Sequence, residues 1–304
     1  MILFVVYLVV LQDYPASLSD SFPPAMVSFL PAEPMVLFKG AGPGNWDAQI
    51  RERGWILRDE KGYHLWFTGY VDKKVGPMFL GYATSPDGLL WTRHPANPIF
   101  RDAWVEDVQV IRDGEDFYMF AEGKGDQAQL LTSRDGITWE RVGTLDIRLT
   151  NGKPIPKGPF GTPTAHREKG VWHLFYERLD RGVWHATSDD TKIWTNVSDE
   201  PVLRPGPGEY DASAIAVNQI VPYQGRYFAF YHGLGKEGPG RWCTCVAVSE
   251  DLREWRKYER NPLTSPADNQ SSGILVRNDV GYQLYTMHPD VRLHRSAPTG
   301  SSKR

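Results

Sequence analysis

A phrase that begins on an aromatic residue and continues as an aromatic-rich strand returns five times in this chain of 304 residues. Its copies are Tyr63-His-Leu-Trp-Phe-Thr-Gly, Phe117-Tyr-Met-Phe-Ala-Glu-Gly, Trp172-His-Leu-Phe-Tyr-Glu-Arg, Tyr227-Phe-Ala-Phe-Tyr-His-Gly and Tyr282-Gln-Leu-Tyr-Thr-Met-His. The leading aromatics stand 54, 55, 55 and 55 residues apart. Aromatic and β-branched runs bounded by turn residues read as strands. A period near 50 residues filled with short strands is the sequence form of propeller blades. The repeat predicts an all-β fold, a five-bladed β-propeller. Blades around one axis leave a funnel, and chemistry is expected where the inner strands open onto it.

A second phrase supports the first. Ser85-Pro-Asp-Gly-Leu-Leu-Trp91 recurs as Ser133-Arg-Asp-Gly-Ile-Thr-Trp139, Ser188-Asp-Asp-Thr-Lys-Ile-Trp194 and Ser249-Glu-Asp-Leu-Arg-Glu-Trp255. Asp-Gly favours a tight hairpin turn, and the following tryptophan is expected to pack back across it, as a core staple of each outer hairpin. Asn97-Pro-Ile-Phe, Glu200-Pro-Val-Leu and Asn261-Pro-Leu-Thr follow three of these hairpins as edge strands, where proline is tolerated. The fifth repeat runs only to His294-Arg-Ser296 before the chain ends. Its missing edge is expected from Glu33-Pro-Met-Val-Leu37, so that an N-terminal strand closes the fifth blade and covers an open sheet edge.

Residues 31–304 are thus expected to form one propeller domain, and residues 1–30 an apolar segment and linker. The run Met1-Ile-Leu-Phe-Val-Val-Tyr-Leu-Val-Val-Leu11 has the length of a signal-peptide core, although no Lys or Arg precedes it. Secretion or a periplasmic location is the favoured expectation, the cytoplasm the other. A formal charge of -3 argues against nucleic acid, which requires a basic face. No stretch approaches the roughly 20 apolar residues of a membrane span. Cys243 and Cys245 share one face of a strand about 7 Å apart, too far for an unstrained disulfide. They are expected to be small buried residues, and a monomer is expected.

The segment before each anchor aromatic is expected to be the innermost strand. Folding each hairpin about its turn sets the residue ten before the anchor opposite the residue five after it, with Cβ atoms roughly 5 Å apart. Thr68, Glu122, Glu177, His232 and Met287 would then face Arg53, Asp107, Thr162, Val217 and Ser272. With Glu52 and Glu106 beside those partners, ionisable groups would cluster at one mouth of the funnel. Crowded carboxylates raise one another's pKa, which keeps a protonated acid available near neutral pH. The plainer reading is a solvated rim with structural ion pairs.

In these residues the chain resembles the five-bladed propeller glycoside hydrolases, the group of arabinanases, β-xylosidases, invertases and relatives. The resemblance spans roughly residues 33–296 in architecture and is specific in few motifs. It implies a carboxylate near the start of the inner strand in each of blades one to three: base or nucleophile, orienting group and general acid. Counting back from Gly62-Tyr-His-Leu-Trp-Phe67 places Glu52 in the first role, with Asp47 as alternative, although the Asn-Asp-Pro motif of the invertase branch is missing. Asp107 matches the second position best. The third inner strand, Gly158-Pro-Phe-Gly-Thr-Pro-Thr-Ala-His166, has no carboxylate, so the acid is assigned to Glu177, with Glu122 and His166 as alternatives.

Substrate contacts are expected from Arg53, Glu106, Thr162, His166 and His232. Trp46-Asp47 and Tyr210-Asp211 occupy matching places, each Asp sixteen residues before its anchor. Asp accepts hydrogen bonds from sugar hydroxyls and a neighbouring aromatic offers a stacking face; the competing reading is a capped turn. Trp104 is a further stacking candidate. No cofactor is expected, and the one place left open for a structural cation is near His232 or His288. The leading expectation is a glycosidase acting on an oligo- or polysaccharide. A non-catalytic sugar-binding propeller is the second reading, and a glycoside phosphorylase the third.

Overall fold

The computed structural model describes residues 21–33, 36–72, 76–236 and 241–297. Five sheets stand around one axis, one for each repeat. From the axis outward, blade one is Gln49–Asp59, Gly62–Tyr70, Phe79–Ser85 and Thr92–Arg93, and blade two is Glu106–Asp113, Asp116–Gly123, Gln127–Ser133 and Glu140–Thr144. Blade three is Gly161–Glu168, Val171–Glu177, Val183–Ser188 and Ile193–Asn196, and blade four is Ala214–Tyr223, Arg226–Leu234, Trp242–Ser249 and Arg256–Lys257. Blade five is Ile274–Asn278, Gly281–Thr286 and Arg292–Ser296, completed from the N-terminal side by Phe29–Pro31. Each anchor aromatic is the second residue of its blade's second strand. The propeller expected from the repeat is the fold observed.

Closure comes from slightly upstream of the expected segment. Phe29–Pro31 runs antiparallel to Arg292–Ser296, with Phe29 opposite Ser296 and Pro31 opposite His294. Leu37 and Phe38 reach Val291 only through isolated backbone hydrogen bonds. The anchor is hydrophobic: a helical turn at Pro24–Val27 drops Phe22 and Met26 into the core between blades four and five, among Phe228, Tyr258 and Leu284. The apolar run Met1–Leu11 lies outside the described residues. Blade three also gains an unforeseen strand, Asp146–Arg148, parallel to Ile193–Asn196.

The outer turns are longer than two-residue hairpins. Ser85 Oγ accepts the Gly88 amide at 2.8 Å, and Asp87 accepts those of Leu89 and Leu90 at 2.8 and 2.9 Å. Ser133–Asp135 and Ser188–Asp190 repeat this pattern, and in the fourth copy Ser249 accepts the Asp251 amide while Asp251 accepts those of Arg253 and Glu254. The Ser and Asp side chains define the turn. Thr191 and Leu252 take the left-handed conformation, φ 65° and 64°, where the first two copies have glycine. Three of the four tryptophans bond back across the turn: Trp139, Trp194 and Trp255 each donate an indole N–H to the carbonyl three residues earlier, whereas the buried Trp91 indole N–H finds no partner among the described residues.

Cys243 and Cys245 are free thiols, fully buried, with sulfurs 3.7 Å apart. Among the described residues no helix is long and apolar enough to cross a membrane.

Deleting the chain through Ala32 removes the strand Phe29–Pro31 and the Phe22 and Met26 anchors. The truncated protein is expected to aggregate or to melt well below the full chain in calorimetry, because the Arg292–Ser296 edge is laid open. Equal melting of the two would show that closure does not depend on this segment.

Candidate active site

The inner strands of blades one to four each carry extra residues at the same height. The ladder shifts between Arg51 and Trp55, Glu106 and Gln109, Gly161 and Thr164, and Val217 and Gln219. The expected facing pairs are therefore displaced. Arg51, not Arg53, lies opposite Thr68; Glu106, not Asp107, opposite Glu122; Gly161, not Thr162, opposite Glu177; Ala216, not Val217, opposite His232. Blade five has no bulge, and its bridge between Ser271 and His288 continues the expected register. Bulges re-aim side chains and gather beside active sites.

At the displaced level stand residues in the left-handed region: Glu52 at φ 53°, Asp107 at 48°, Thr162 at 42° and Ser272 at 55°. Asp107, Thr162 and Ser272 each stand ten residues before their anchor and Glu52 eleven, so one strained position recurs in four of the five blades. A non-glycine residue held this way costs on the order of 1–3 kcal/mol and is typical of functional sites.

Arg53 ties this ring together. It has no exposed surface. One guanidinium nitrogen donates to Thr164 Oγ1 at 2.5 Å and to the carbonyls of Asn218 at 3.2 Å and Val217 at 3.3 Å. The other donates to the Pro163 carbonyl at 2.8 Å and to that of Asp107. Its own amide donates to Asp107 Oδ1 at 3.0 Å. Arg53 was expected to reach substrate oxygens; the bulge turns it inward and gives that place at the mouth to Arg51.

Around the mouth, Glu52 accepts from Arg51 at 2.6 Å, and His288 Nδ1 lies 3.7 Å from its other oxygen. The same arginine stands 3.3 Å from Glu106, which also accepts the Trp104 indole N–H at 2.6 Å. Trp104 thus serves to orient Glu106. Burial opposes charge on Glu52, yet His288 and Arg51 hold its carboxyl below the usual carboxylate range. Asp107 behaves oppositely: burial, then the neighbouring Glu52, push it up to about 8, against the pull of Arg53. Its second oxygen takes no hydrogen bond among the described residues. Environments that drive two adjacent carboxyls apart mark an acid and a base.

Glu122 and Glu177 meet over Gly161. A β-carbon at Gly161 would stand 2.2 Å from a Glu122 oxygen and 2.7 Å from a Glu177 oxygen, so these oxygens lie within about 5 Å, close enough for one charge to oppose the other. Only glycine fits there. Glu122 accepts the Thr162 amide at 2.9 Å, and Glu177 accepts the amides of Gly161 at 2.9 Å and Asp180 at 2.5 Å. Burial raises both carboxyls, Glu177 to about 7 and Glu122 well above its ordinary value. Asp180, raised by burial to about 6, joins them from a loop that no sequence pattern flagged. The main-chain bonds make Glu122 and Glu177 holders of the strained Gly161–Thr162 turn. Thr162 is buried and contributes this backbone amide.

His232 is buried, meets Asn218 Nδ2 through its Nδ1 at 3.0 Å and packs edge-on to Trp242. Burial lowers it to about 4, leaving a neutral ring near Glu52. Other expected residues stand elsewhere. Asp47 is 2% exposed and paired with Arg93 at 2.7 Å, while Asp211 is fully buried against Lys257 and Tyr231. The capped-turn reading holds for Asp211, which accepts the Gly206 amide at 3.1 Å, whereas Asp47 is held by its ion pair instead. Trp46 stacks on Phe67 and crowds Gly69, as core packing. His166 lies on the lower half of its strand, opposite His173 and against Tyr227, at the far end of the axis. Among the described residues no group of three or more His, Cys, Asp or Glu is arranged to hold a metal.

No protein-family model matches the chain. A 1,2-β-oligomannan phosphorylase of Thermoanaerobacter sp. is 24% identical over 67% of this chain and 68% of its own. Among solved structures, a candidate glycosidase from Bacteroides thetaiotaomicron superposes with a TM-score of 0.74 at 17% identity, covering 95% of this chain and all 100% of that one. The β-1,2-mannobiose phosphorylase of Listeria innocua superposes with a TM-score of 0.66 at 14% identity, covering 88% and 95%. The fold is that of the five-bladed propellers to which glycosidases and glycoside phosphorylases belong.

Asp107 makes a pH signature. Its carboxyl is protonated in the fold up to about pH 8 but ionised in the unfolded chain above about pH 4. The native state then binds the extra proton, so this group's contribution falls as pH rises from 4 to 8. Asp107→Asn removes that slope. Urea midpoints of the variant are expected to gain on the parent steadily from pH 5 to pH 8; a constant difference would place the Asp107 pKa in the ordinary range.

Proposed function

We propose that this protein is a carbohydrate-active enzyme that cleaves a glycosidic bond at the upper mouth of the propeller. The observation that carries the reading is the pair Asp107 and Glu52: one proton-bearing and one charged carboxyl, on strained bulges of neighbouring blades, joined through the main chain of Arg53. Asp107 would donate its proton to the leaving oxygen as the glycosidic bond breaks. Glu52, kept ionised by Arg51, would take a proton from the attacking water or oppose positive charge at the anomeric carbon. The acid role thereby moves from Glu177 to Asp107, because both Glu177 oxygens are engaged by backbone amides.

Phosphorolysis is the second reading. It is supported by the Thermoanaerobacter relative and by Arg51, His232 and His288 gathered around Glu52, donors that an inorganic phosphate could use. The relatives' names make β-1,2-mannobiose the first substrate to try. Incubation with and without phosphate separates the readings. Mannose alone indicates hydrolysis, phosphate-dependent mannose 1-phosphate indicates phosphorolysis, and binding without product leaves a sugar-binding propeller.

Asp107→Asn is expected to lower kcat/KM by about 100-fold or more, the scale of a lost general acid. The loss should shrink on aryl glycosides with low leaving-group pKa, and parent activity should fall above about pH 8 as the acid ionises. Glu177→Gln is expected to lose activity equally on good and poor leaving groups. A leaving-group dependence at Glu177 instead of Asp107 would reverse the assignment.

A further inference from the structure

The opposite end of the axis holds a cavity of about 660 Å³, lined by the lower halves of the inner strands of blades one to four. It contains none of the carboxylates at the upper mouth. The plug of Arg53 and Thr164, with their carbonyl partners, stands between the two ends. The size lies within the roughly 300–1,000 Å³ usual for small-ligand sites.

Two polar groups in its lining lack partners. Trp55 is 5% exposed, and its buried indole N–H donates to nothing among the described residues. The His166 Nε2 is buried and has no partner among the described residues. Leaving a buried donor unmet is costly, and a ligand oxygen can recover that cost. At the equivalent place in blades two and four, Gln109 and Gln219 bond the backbone of the next inner strand. Trp55 has no such bond, although it stands in the same ring.

Arg112, Arg167 and Lys169 line the rim with Asp113, and Glu168 stands 3.9 Å from Lys169. Arg167 pairs with Asp113, and Arg112 stands 3.6 Å from Asp59, exposed pairs of the kind worth little. They can turn to an oxyanion, which a guanidinium binds in bidentate fashion. The lining also includes apolar Leu57, Val110, Ile111 and Ile220, with the Trp55 ring.

We infer that the lower mouth is a second ligand site, for a small carbohydrate bearing one oxyanion, phosphate or carboxylate. The anion would meet the arginines, the ring would lie on the apolar walls, and an inner hydroxyl would accept the Trp55 N–H. This inference does not rest on the reaction proposed at the upper mouth.

Isothermal titration of the full chain tests it, with glucose 6-phosphate and glucuronate as the two oxyanion probes and with mannose and inorganic phosphate as controls. Saturable binding of at least one sugar anion is expected, weakening as NaCl rises from 50 to 500 mM. Arg167→Gln, an exposed change compatible with folding, is expected to weaken it about tenfold, and Trp55→Phe about fivefold. Asp107→Asn should bind as the parent does. The proposal is overturned if neither anion saturates, if Arg167→Gln binds like the parent, if neutral mannose binds equally well, or if Asp107→Asn abolishes binding.

Discussion

One buried guanidinium holds the inner ring in place. Arg53 starts in blade one and donates to blade two at Asp107, blade three at Pro163 and Thr164, and blade four at Val217 and Asn218. Removing a charged group from water is costly unless its hydrogen bonds are replaced, and burial lowers the Arg53 pKa to about 10. Four carbonyls and a hydroxyl replace those bonds at the two terminal nitrogens, while the buried Nε finds no partner among the described residues. Those carbonyls are unmet because the bulges pull the inner strands out of register there. The bulges create the acceptors, and the arginine makes the bulges tolerable.

The same exchange explains how carboxyls can crowd the upper mouth. Glu122 and Glu177 sit too close for both to be charged at low cost, and each spends oxygens on amides of the Gly161–Thr162 turn. Asp107 spends one oxygen on the Arg53 amide and keeps the other open. Glu52 instead has a fixed cation, Arg51, at 2.6 Å. Proximity alone would raise every carboxyl in the group. Local partners decide which one keeps the proton.

The propeller was legible because blade spacing is a property of the chain itself: each anchor aromatic marks a second strand whatever its neighbours do. The level of Glu52 and Asp107 was legible for the same reason. The facing pairs were not, since a bulge leaves no mark in the alternation it interrupts, and a slipped register exchanges which side chains share a face. Hence Arg53 was placed at the mouth and Arg51 overlooked, though the two flank Glu52. Asp47 and Asp211 misled through position: both head their blades, but Arg93 and Lys257 from the outer strands neutralise them. His166 misled through linear nearness to Thr162, because four residues along a strand is more than 10 Å of travel down the axis.

That distance also bears on what the fold can do. A propeller's inner strands run the length of the axis, so one strand serves both ends with different residues. Blade three offers Gly161 and Thr162 above and His166 and Arg167 below, with Thr164 between them bonded to blade four through the Val217 carbonyl at 2.7 Å. Arg53 and Thr164, both without exposed surface, stand between the two ends. Coupling between them would have to pass through the strands themselves. Gln109 and Gln219 bond both backbone groups of the next inner strand, which opposes sliding of one blade past another. A ring stitched this way favours two independent mouths over a hinge that opens one as it closes the other.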